Sequence, residues 1–492
     1  METDISKIKI ETRILTKIPY KVCVKYKIFP LIFDEIEQEL TIASASADID
    51  NIETIDGLRR ITGNKIKMVS ADSKTIDDLL NTYYSNENSE DAANRTVISE
   101  NTEIFSESAI NTLEEIIRNS INERASDIHF EAYENFVNIR HRIDGILYDV
   151  RKLPKRMLNP IISRIKILSN LNIAERRLPH DGKMLFDIAG RKIDMRISIL
   201  PSNHGESAVI RILDKENFIL GMDKLGFNNE TLEGMYKIIS RSHGLILVSG
   251  PTGSGKTTTL YSALTYMNSS EKKIITIEDP IEYEIAGIQQ LQVKPHIGFT
   301  FASGLRSILR HDPDIILVGE IRDSETAKIA IQSALTGHFV FSTVHTNDSP
   351  GSVIRLMDMG IENFLISSSV SSALSQRLVR LICLRCKEKY SPSTKSLEFI
   401  YEKSLIKKNI SSFYRGAGCE YCKNTGYRGR SAIFEHMIIN DEIRRLISKS
   451  ASSDYIREAA VKNGMIPLFD YGLIRVENGD TTISEVLRVC AL

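Results

Sequence analysis

Short apolar runs divide the chain into modules by their period and their flanks. In residues 1–84, Val22-Cys23-Val24 leads into Phe29-Pro30-Leu31-Ile32-Phe33, and Leu40-Thr41-Ile42-Ala43 reads as a strand. Ile55, Leu58 and Ile61 recur at helical spacing, so a small α+β domain is expected there. Residues 85–105 are rich in Ser, Asn and Glu and read as a linker. In 106–217, Ile110, Leu113, Ile116 and Ile117 predict a helix over Ala109–Arg118, and Met157–Leu168 returns to helix. Between and after these helices, Ile128–Glu131, Phe136–Arg140, Gly145–Tyr148, Lys192–Ile197 and Ala208–Leu213 alternate like strands. A short connection containing Gly221–Gly226, within 218–228, reads as a hinge. The last module, 229–492, opens βαβ: Leu245–Val248, a Gly-rich turn, then a helix over Thr257–Tyr266. Ile274–Ile277, Ile315–Val318 and Phe339–Thr343 follow, apolar throughout like strands buried on both faces of a parallel sheet.

Composition agrees with this division. At about 100–200 residues per domain, 492 residues suggest about three domains. Hydrophobic residues are 42% and charged residues 26%, enough for each domain to bury a core. Lys+Arg is 63 against Asp+Glu 64, a net charge of −1. That balance argues against general nucleic-acid binding, which needs a basic footprint to neutralise phosphates. The apolar runs fall far short of the roughly 20 residues that span a bilayer. The first residues, Met1-Glu2-Thr3-Asp4, carry acids where a secretory signal carries bases. A soluble intracellular chain whose membrane contact is peripheral is the expectation.

Gly250-Pro251-Thr252-Gly253-Ser254-Gly255-Lys256-Thr257 matches G-x-x-x-x-G-K-[ST] in full, with a strand before it and a helix after it. Its glycines let successive backbone N–H groups turn inward on phosphate oxygens, and the helix that opens at Thr257-Thr258 adds its positive dipole end. Lys256 reaches the β- and γ-phosphates, and the Thr257 hydroxyl can hold Mg²⁺. An ordinary Gly-rich loop would lack those flanks.

Two apolar strands after the loop end in acids: Ile274–Ile277 in Glu278-Asp279-Pro280-Ile281-Glu282, and Ile315–Val318 in Gly319-Glu320. Ligands in open parallel sheets sit beyond the carboxyl ends of strands, where such carboxylates can hold hydrated Mg²⁺ or orient an attacking water. A single acid after a strand would read as a solvated turn residue; two in succession after a phosphate loop point to catalysis. His338 opens the strand Phe339–Thr343 and His345 closes it. Either could position a γ-phosphate, or simply hydrogen-bond within the fold.

Cys383-Leu384-Arg385-Cys386 and Cys419-Glu420-Tyr421-Cys422 form two C-x2-C pairs. Each pair can give two thiolates to one tetrahedral Zn²⁺, with no coordination position left open, so the metal is expected to be structural. The segment between the pairs exceeds the about 15–20 residues usual in such sites, so a small subdomain must be inserted. A redox pair would need only one of the two. Cys23 and Cys490 stand alone.

On these motifs the chain resembles the secretion ATPases of type II secretion and type IV pilus assembly. The motifs occur in order: the phosphate loop, the box Ile277–Tyr283, the run Leu309-Arg310-His311-Asp312-Pro313-Asp314 through Asp323, the histidine box Thr336-Gly337-His338 through Thr346, the cysteine pairs, and Thr425–Arg430. Upstream, Ser126–Glu131 and Arg142-Ile143-Asp144-Gly145 belong to the same likeness, which is close over 105–492 and looser over 1–84.

The resemblance implies a homo-hexameric, cytoplasmic ATPase, peripheral on the inner membrane through platform and adaptor proteins of the export machine. It implies an N-terminal adaptor domain (1–84), a middle α+β domain (106–217) and a RecA-like P-loop ATPase domain (229–492). The last would carry a zinc subdomain (379–430) and a C-terminal helical part (431–492). ATP, Mg²⁺ and Zn²⁺ are the implied cofactors. By position, Glu282 polarises the attacking water and Glu320 acts on Mg²⁺ or its water. His338 belongs to the histidine box, and Arg196 and Arg211 match the family's arginine fingers. Gly319 stands where many NTPases carry an Asp, which favours a carboxylate acting through water over direct chelation. The short N-terminal region favours the secretion branch over the pilus assembly branch. Other classes are a nucleotide-regulated scaffold, disfavoured by the two carboxylates, and a DNA-translocating motor, disfavoured by the charge balance.

Overall fold

The computed structural model describes residues 14, 18, 20–34, 39–45, 55, 58, 59, 62, 64–83, 109–188, 190–213, 220–392, 394–406 and 410–490. The expected linker, 85–105, lies outside them. The chain divides into two compact units, Met1–Asn111 and Thr112–Leu492.

In the first unit, β1 (Ile28–Asp34) pairs antiparallel with β2 (Glu39–Ser44), which runs parallel to β3 (Lys65–Ser70). The amphipathic helix Ser73–Tyr83 contributes Ile76 and Leu80 to a core with Ile28, Phe29, Leu40 and Ile42.

The second unit contains two large sheets among the described residues. The first has six antiparallel strands: β4 (Ala125–Ala132), β5 (Phe136–Ile143), β6 (Ile146–Pro154), β7 (His180–Ile188), β8 (Arg191–Ser202) and β9 (Gly205–Leu213), in the order β6-β5-β4-β9-β8-β7. Alternate positions of β8 (Ile193, Met195, Ile197, Ile199) are buried, so Arg196, at an intervening position, faces away from that core. β7 was not expected from the sequence, because only Met184 and Phe186 of its nine residues are buried.

The second sheet has seven strands: β10 (Gly244–Ser249), β11 (Ile274–Glu278), β12 (Gln289–Gln292), β13 (Ile315–Val318), β14 (Phe339–Val344), β15 (Val370–Ile382) and, past a separate two-stranded sheet of β16 (Lys387–Lys389) and β17 (Tyr414–Gly416), β18 (Tyr427–Ile438). The order is β12-β11-β13-β14-β10-β15-β18, parallel except for β18. The apolar strands supply both faces. Leu245 and Leu247 enter one core cluster with Ile275, Ile316 and Val340, while Ile246 and Val248 enter another with Ile274, Leu317 and Phe341. Strands covered on both sides therefore need no polar alternation.

The connection from Gly221 onward is strapped to β18. The Ala432 amide donates to Leu225 O at 3.0 Å, Phe227 stacks on Phe434 with centroids 3.8 Å apart, and Tyr471 OH donates to Gly226 O at 2.9 Å. A Cβ on Gly226, whose φ is +110°, would lie 2.6 Å from Ala432 O, so only glycine fits there. Among the described residues, no helix is long and apolar enough to cross a membrane.

Candidate functional site

The Gly-rich turn lies between β10 and the helix Lys256–Met267. Gly250, Gly253 and Gly255 have φ of +145°, +78° and +86°, so the loop is curled in a way that L side chains resist. At Gly250 a Cβ would also meet Gln376 O and the Ser254 hydroxyl, each at 2.6 Å. Pro251, Thr252 and Gly253 form an exposed lip, Ser254 is buried, and Thr257 and Thr258 are half-buried in the first helical turn. Lys256 Nζ donates to Gly250 O at 2.8 Å and Pro251 O at 3.1 Å. Burial lowers the pKa of this ammonium, and the Glu320 carboxylate opposes that shift.

The loop is pinned from below by a residue that motif reading missed. Gln376 of β15 donates its amide to Ser254 O at 2.8 Å and accepts from Thr259 Oγ1 at 2.7 Å. A buried Gln-Arg pair in a long strand was the available signal; the serines around it, in Val370-Ser371-Ser372-Ala373-Leu374-Ser375, masked the strand itself.

Both acids stand at carboxyl ends of neighbouring strands. Glu320 follows β13 and is held by Arg322 at 2.5 Å and by His345 Nε2 at 3.3 Å. Gly319 lets this turn lie against β11, where a Cβ would sit 3.2 Å from Ile277 O. Glu282 lies in the loop between β11 and β12, with Arg196 NH1 of β8 2.9 Å from its carboxylate and Arg196 NH2 donating to Ile281 O at 2.8 Å. Arg196 thus reaches from the six-stranded sheet to the acidic loop beside the phosphate loop.

Arg211 is opposite Arg196 in the ladder of β8 and β9, but its Nε donates to Asp127 at 3.0 Å. Among the described residues, its ion pair and hydrogen bond are with Asp127 and not with the acidic loop. His338 is the residue the structure does not bring to the site. β14 runs parallel to β10, pairing Gly244 with Phe339 and Ser249 with Val344, so a residue before Phe339 lies at the amino end of the sheet, away from the phosphate loop. There His338 Nδ1 lies 3.0 Å from Ser333 O. The histidine at the carboxyl end is His345, against Glu320.

Cys383, Cys386, Cys419 and Cys422 converge, with all four Sγ atoms within 4.8 Å of one another. Backbone amides of Gly418, Cys419 and Gly426 point at the sulfurs at 3.2–3.3 Å, as a thiolate-bound cation requires of its surroundings. The donor set fits a tetrahedral soft-ligand metal. The lobe around the cysteines also touches the six-stranded sheet at its β5–β6 hairpin and the residue Glu123 just before β4. Asp144 accepts from the Gly429 amide at 2.8 Å and lies 3.5 Å from Arg430, Lys423 pairs with Glu123, and Arg380 donates to Tyr148 OH at 3.2 Å.

A family model described as Type II/IV secretion system protein matches residues 104–488. The chain belongs to the type II/IV secretion system protein family. Like the other members it is an ATP hydrolase with the α/β fold of these ATPases, and ATP with Mg²⁺ follows from that membership. A second model, the MshEN domain, matches residues 2–90. The chain is 44% identical to type II secretion system protein E of Xanthomonas campestris pv. campestris over 446 residues, 88% of this chain and 78% of that protein. It is 41% identical to the type IV pilus assembly ATPase PilB of Myxococcus xanthus over 501 residues, 97% of this chain and 87% of PilB. Among solved structures, the pilus retraction motor PilT with bound ADP superposes with a TM-score of 0.51 at 27% identity, covering 76% of this chain and 96% of PilT.

Proposed function

We propose that this chain is the hexameric ATPase motor of a type II secretion system. In this reading it works on the cytoplasmic side of the inner membrane, held there by platform and adaptor proteins. Residues 1–84 serve as the adaptor domain, 106–217 as the middle domain and 229–492 as a RecA-like ATPase domain whose zinc-binding insertion is 379–430. Supporting this is the reach of Arg196 from β8 to Glu282, which joins the two sheets across the phosphate-loop edge.

In this reading the amides of Gly250–Thr258 and the ammonium of Lys256 hold the triphosphate. Thr257 and Glu320 would hold Mg²⁺ and its water, which when bound would supply charge neutralisation at the phosphate oxygens. Glu282 orients the water for in-line attack on the γ-phosphorus. Arg196, joined by Arg211 once Asp127 releases it, stabilises the charge on the transferring group. Glu320, with Arg322 and His345, reports whether the γ-phosphate is present. Closing the six-stranded sheet onto the acidic loop, then opening it after hydrolysis, converts turnover into displacement around the ring. Cys383, Cys386, Cys419 and Cys422 would hold Zn²⁺ in a purely structural role, a reading supported by the amide-to-sulfur contacts.

Replacing Lys256 by Ala should lower ATP turnover by at least about 10³-fold with the circular dichroism spectrum unchanged. Normal turnover in that variant would refute the assignment. The PilB relative, matched over 97% of this chain, supports a second reading as a pilus assembly ATPase. Deleting the gene separates them: loss of exported enzymes supports the first, loss of surface pili the second.

A further inference from the structure

One buried polar cluster joins the phosphate-loop helix to the loop that carries Glu282, and the roles given above leave it unused. Glu278, the last residue of β11, is 4% exposed. Three side chains donate to its carboxylate: Thr276 Oγ1 at 2.6 Å, Gln290 Nε2 at 3.3 Å, and the hydroxyl of Tyr261 from the helix Lys256–Met267. Burial raises the pKa of Glu278, and those donors work against the shift. An apolar residue would fill such a position at lower cost, since a buried carboxylate is tolerated only when its oxygens are satisfied.

The cluster grips the loop on both sides of its bend. Gln290, in β12 where the loop rejoins the sheet, donates to Tyr283 O at 3.1 Å and accepts from the Ile285 amide at 2.8 Å. The Tyr261 ring meets the Tyr283 ring edge-on, with centroids 4.6 Å apart and planes at 77°. Tyr283 follows Glu282 directly, so every one of these contacts bears on the backbone that aims the Glu282 carboxylate. The helix carrying Tyr261 is also the helix whose first turn faces the phosphates.

We infer that Glu278 is a positioning residue for ATP hydrolysis: through Tyr261 and Gln290 it locks the Glu282 loop to the phosphate-loop helix, so that the water-orienting carboxylate keeps its register to the bound triphosphate. The inference rests on the role proposed for Glu282. It assigns Glu278 no contact with nucleotide, so its loss acts on the chemical step and spares binding.

The test is steady-state and single-turnover hydrolysis by the full chain, with nucleotide affinity read separately from a fluorescent ATP analogue. Glu278→Gln keeps the shape and removes the charge; Tyr261→Phe keeps the ring and removes one donor, and carries the test should Glu278→Gln fold poorly. Each is expected to lower kcat by about tenfold or more while KM and analogue affinity stay within about twofold, because a small misplacement of a reacting group is costly. Added to Glu282→Gln, neither should lower the remaining single-turnover rate further, the signature of residues acting through one another. Equal losses in the wild-type and Glu282→Gln backgrounds would overturn the inference, as would wild-type kcat for both variants beside a slow Glu282→Gln. Wild-type turnover by Glu282→Gln would overturn the parent reading itself, and the inference with it.

Discussion

The six-stranded sheet and the residues just before it contact the acidic loop and the cysteine lobe in two places that are built differently. At the acidic loop, the contact is carried by the Arg196 side chain, bonded to Glu282 and to the Ile281 carbonyl. At the cysteine lobe, Asp144, Glu123 and Tyr148 each engage a residue of the lobe or of β15, and a backbone amide is among the donors. The first contact can be broken by one rotamer change and is suited to a surface that responds to nucleotide. The second needs several partners to part together and is suited to holding the sheet in place. In the proposed reading, a metal held by Cys383, Cys386, Cys419 and Cys422 bears on turnover through the placement of Arg196.

Removing the metal should separate the two contacts most strongly. Chelation with a thiol-reactive trap is expected to unfold the lobe locally, since binding energy at such sites is folding energy. Hydrogen exchange should rise over 423–430 and kcat should fall, while ATP affinity stays near its starting value. An equal loss of ATP affinity would mean that the cysteine lobe supports the phosphate loop directly.

Next in size is the arginine contact. Arg196→Ala should lower kcat by about 10³-fold, in the range of arginine-finger losses. Arg211→Ala should cost less, because Asp127 competes for that guanidinium. A larger loss at Arg211 would reverse the order and make Arg196 the structural partner.

A smaller effect is expected on acidification. Glu485 is 2% exposed; burial works against its charge, but hydrogen bonds from Arg380 and Arg488 hold its pKa down to about 2. Its folded value lies below the ordinary 4.5, so its stabilisation is complete above about pH 4.5 and is lost as pH falls from there through 2. The shift corresponds to about 3 kcal/mol. Arg380 also reaches Tyr148, so Glu485→Gln should flatten the acid limb of the unfolding curve and loosen the cysteine-lobe contact before the Arg196 contact. An unchanged acid limb would remove Glu485 from the comparison.

Much of the site was legible because it is local. A phosphate loop is a run of consecutive residues with flanking elements, and two C-x2-C pairs declare a four-sulfur cluster whatever lies between them. The histidine box was legible only in part. Its residues were found, but their roles followed strand direction: His338 precedes β14 and His345 follows it, and the parallel pairing with β10 leaves only His345 beside Glu320. β12, β15 and the polar edge strand β7 escaped because their sequences, such as Gln289-Gln290-Leu291-Gln292, lack the apolar period that marks a strand.

By itself, the sequence determined the nucleotide chemistry and the four-cysteine cluster, because curling a backbone around phosphate and spacing two sulfurs both depend on neighbouring residues along the chain. Tertiary structure alone decided that Gln376 pins the loop, that Arg196 and not Arg211 touches the acidic loop, and that Glu278 ties Tyr261 to Gln290. Those contacts join strands and helices distant in sequence. Their partners are chosen by sheet order and register, which no local pattern of residues encodes.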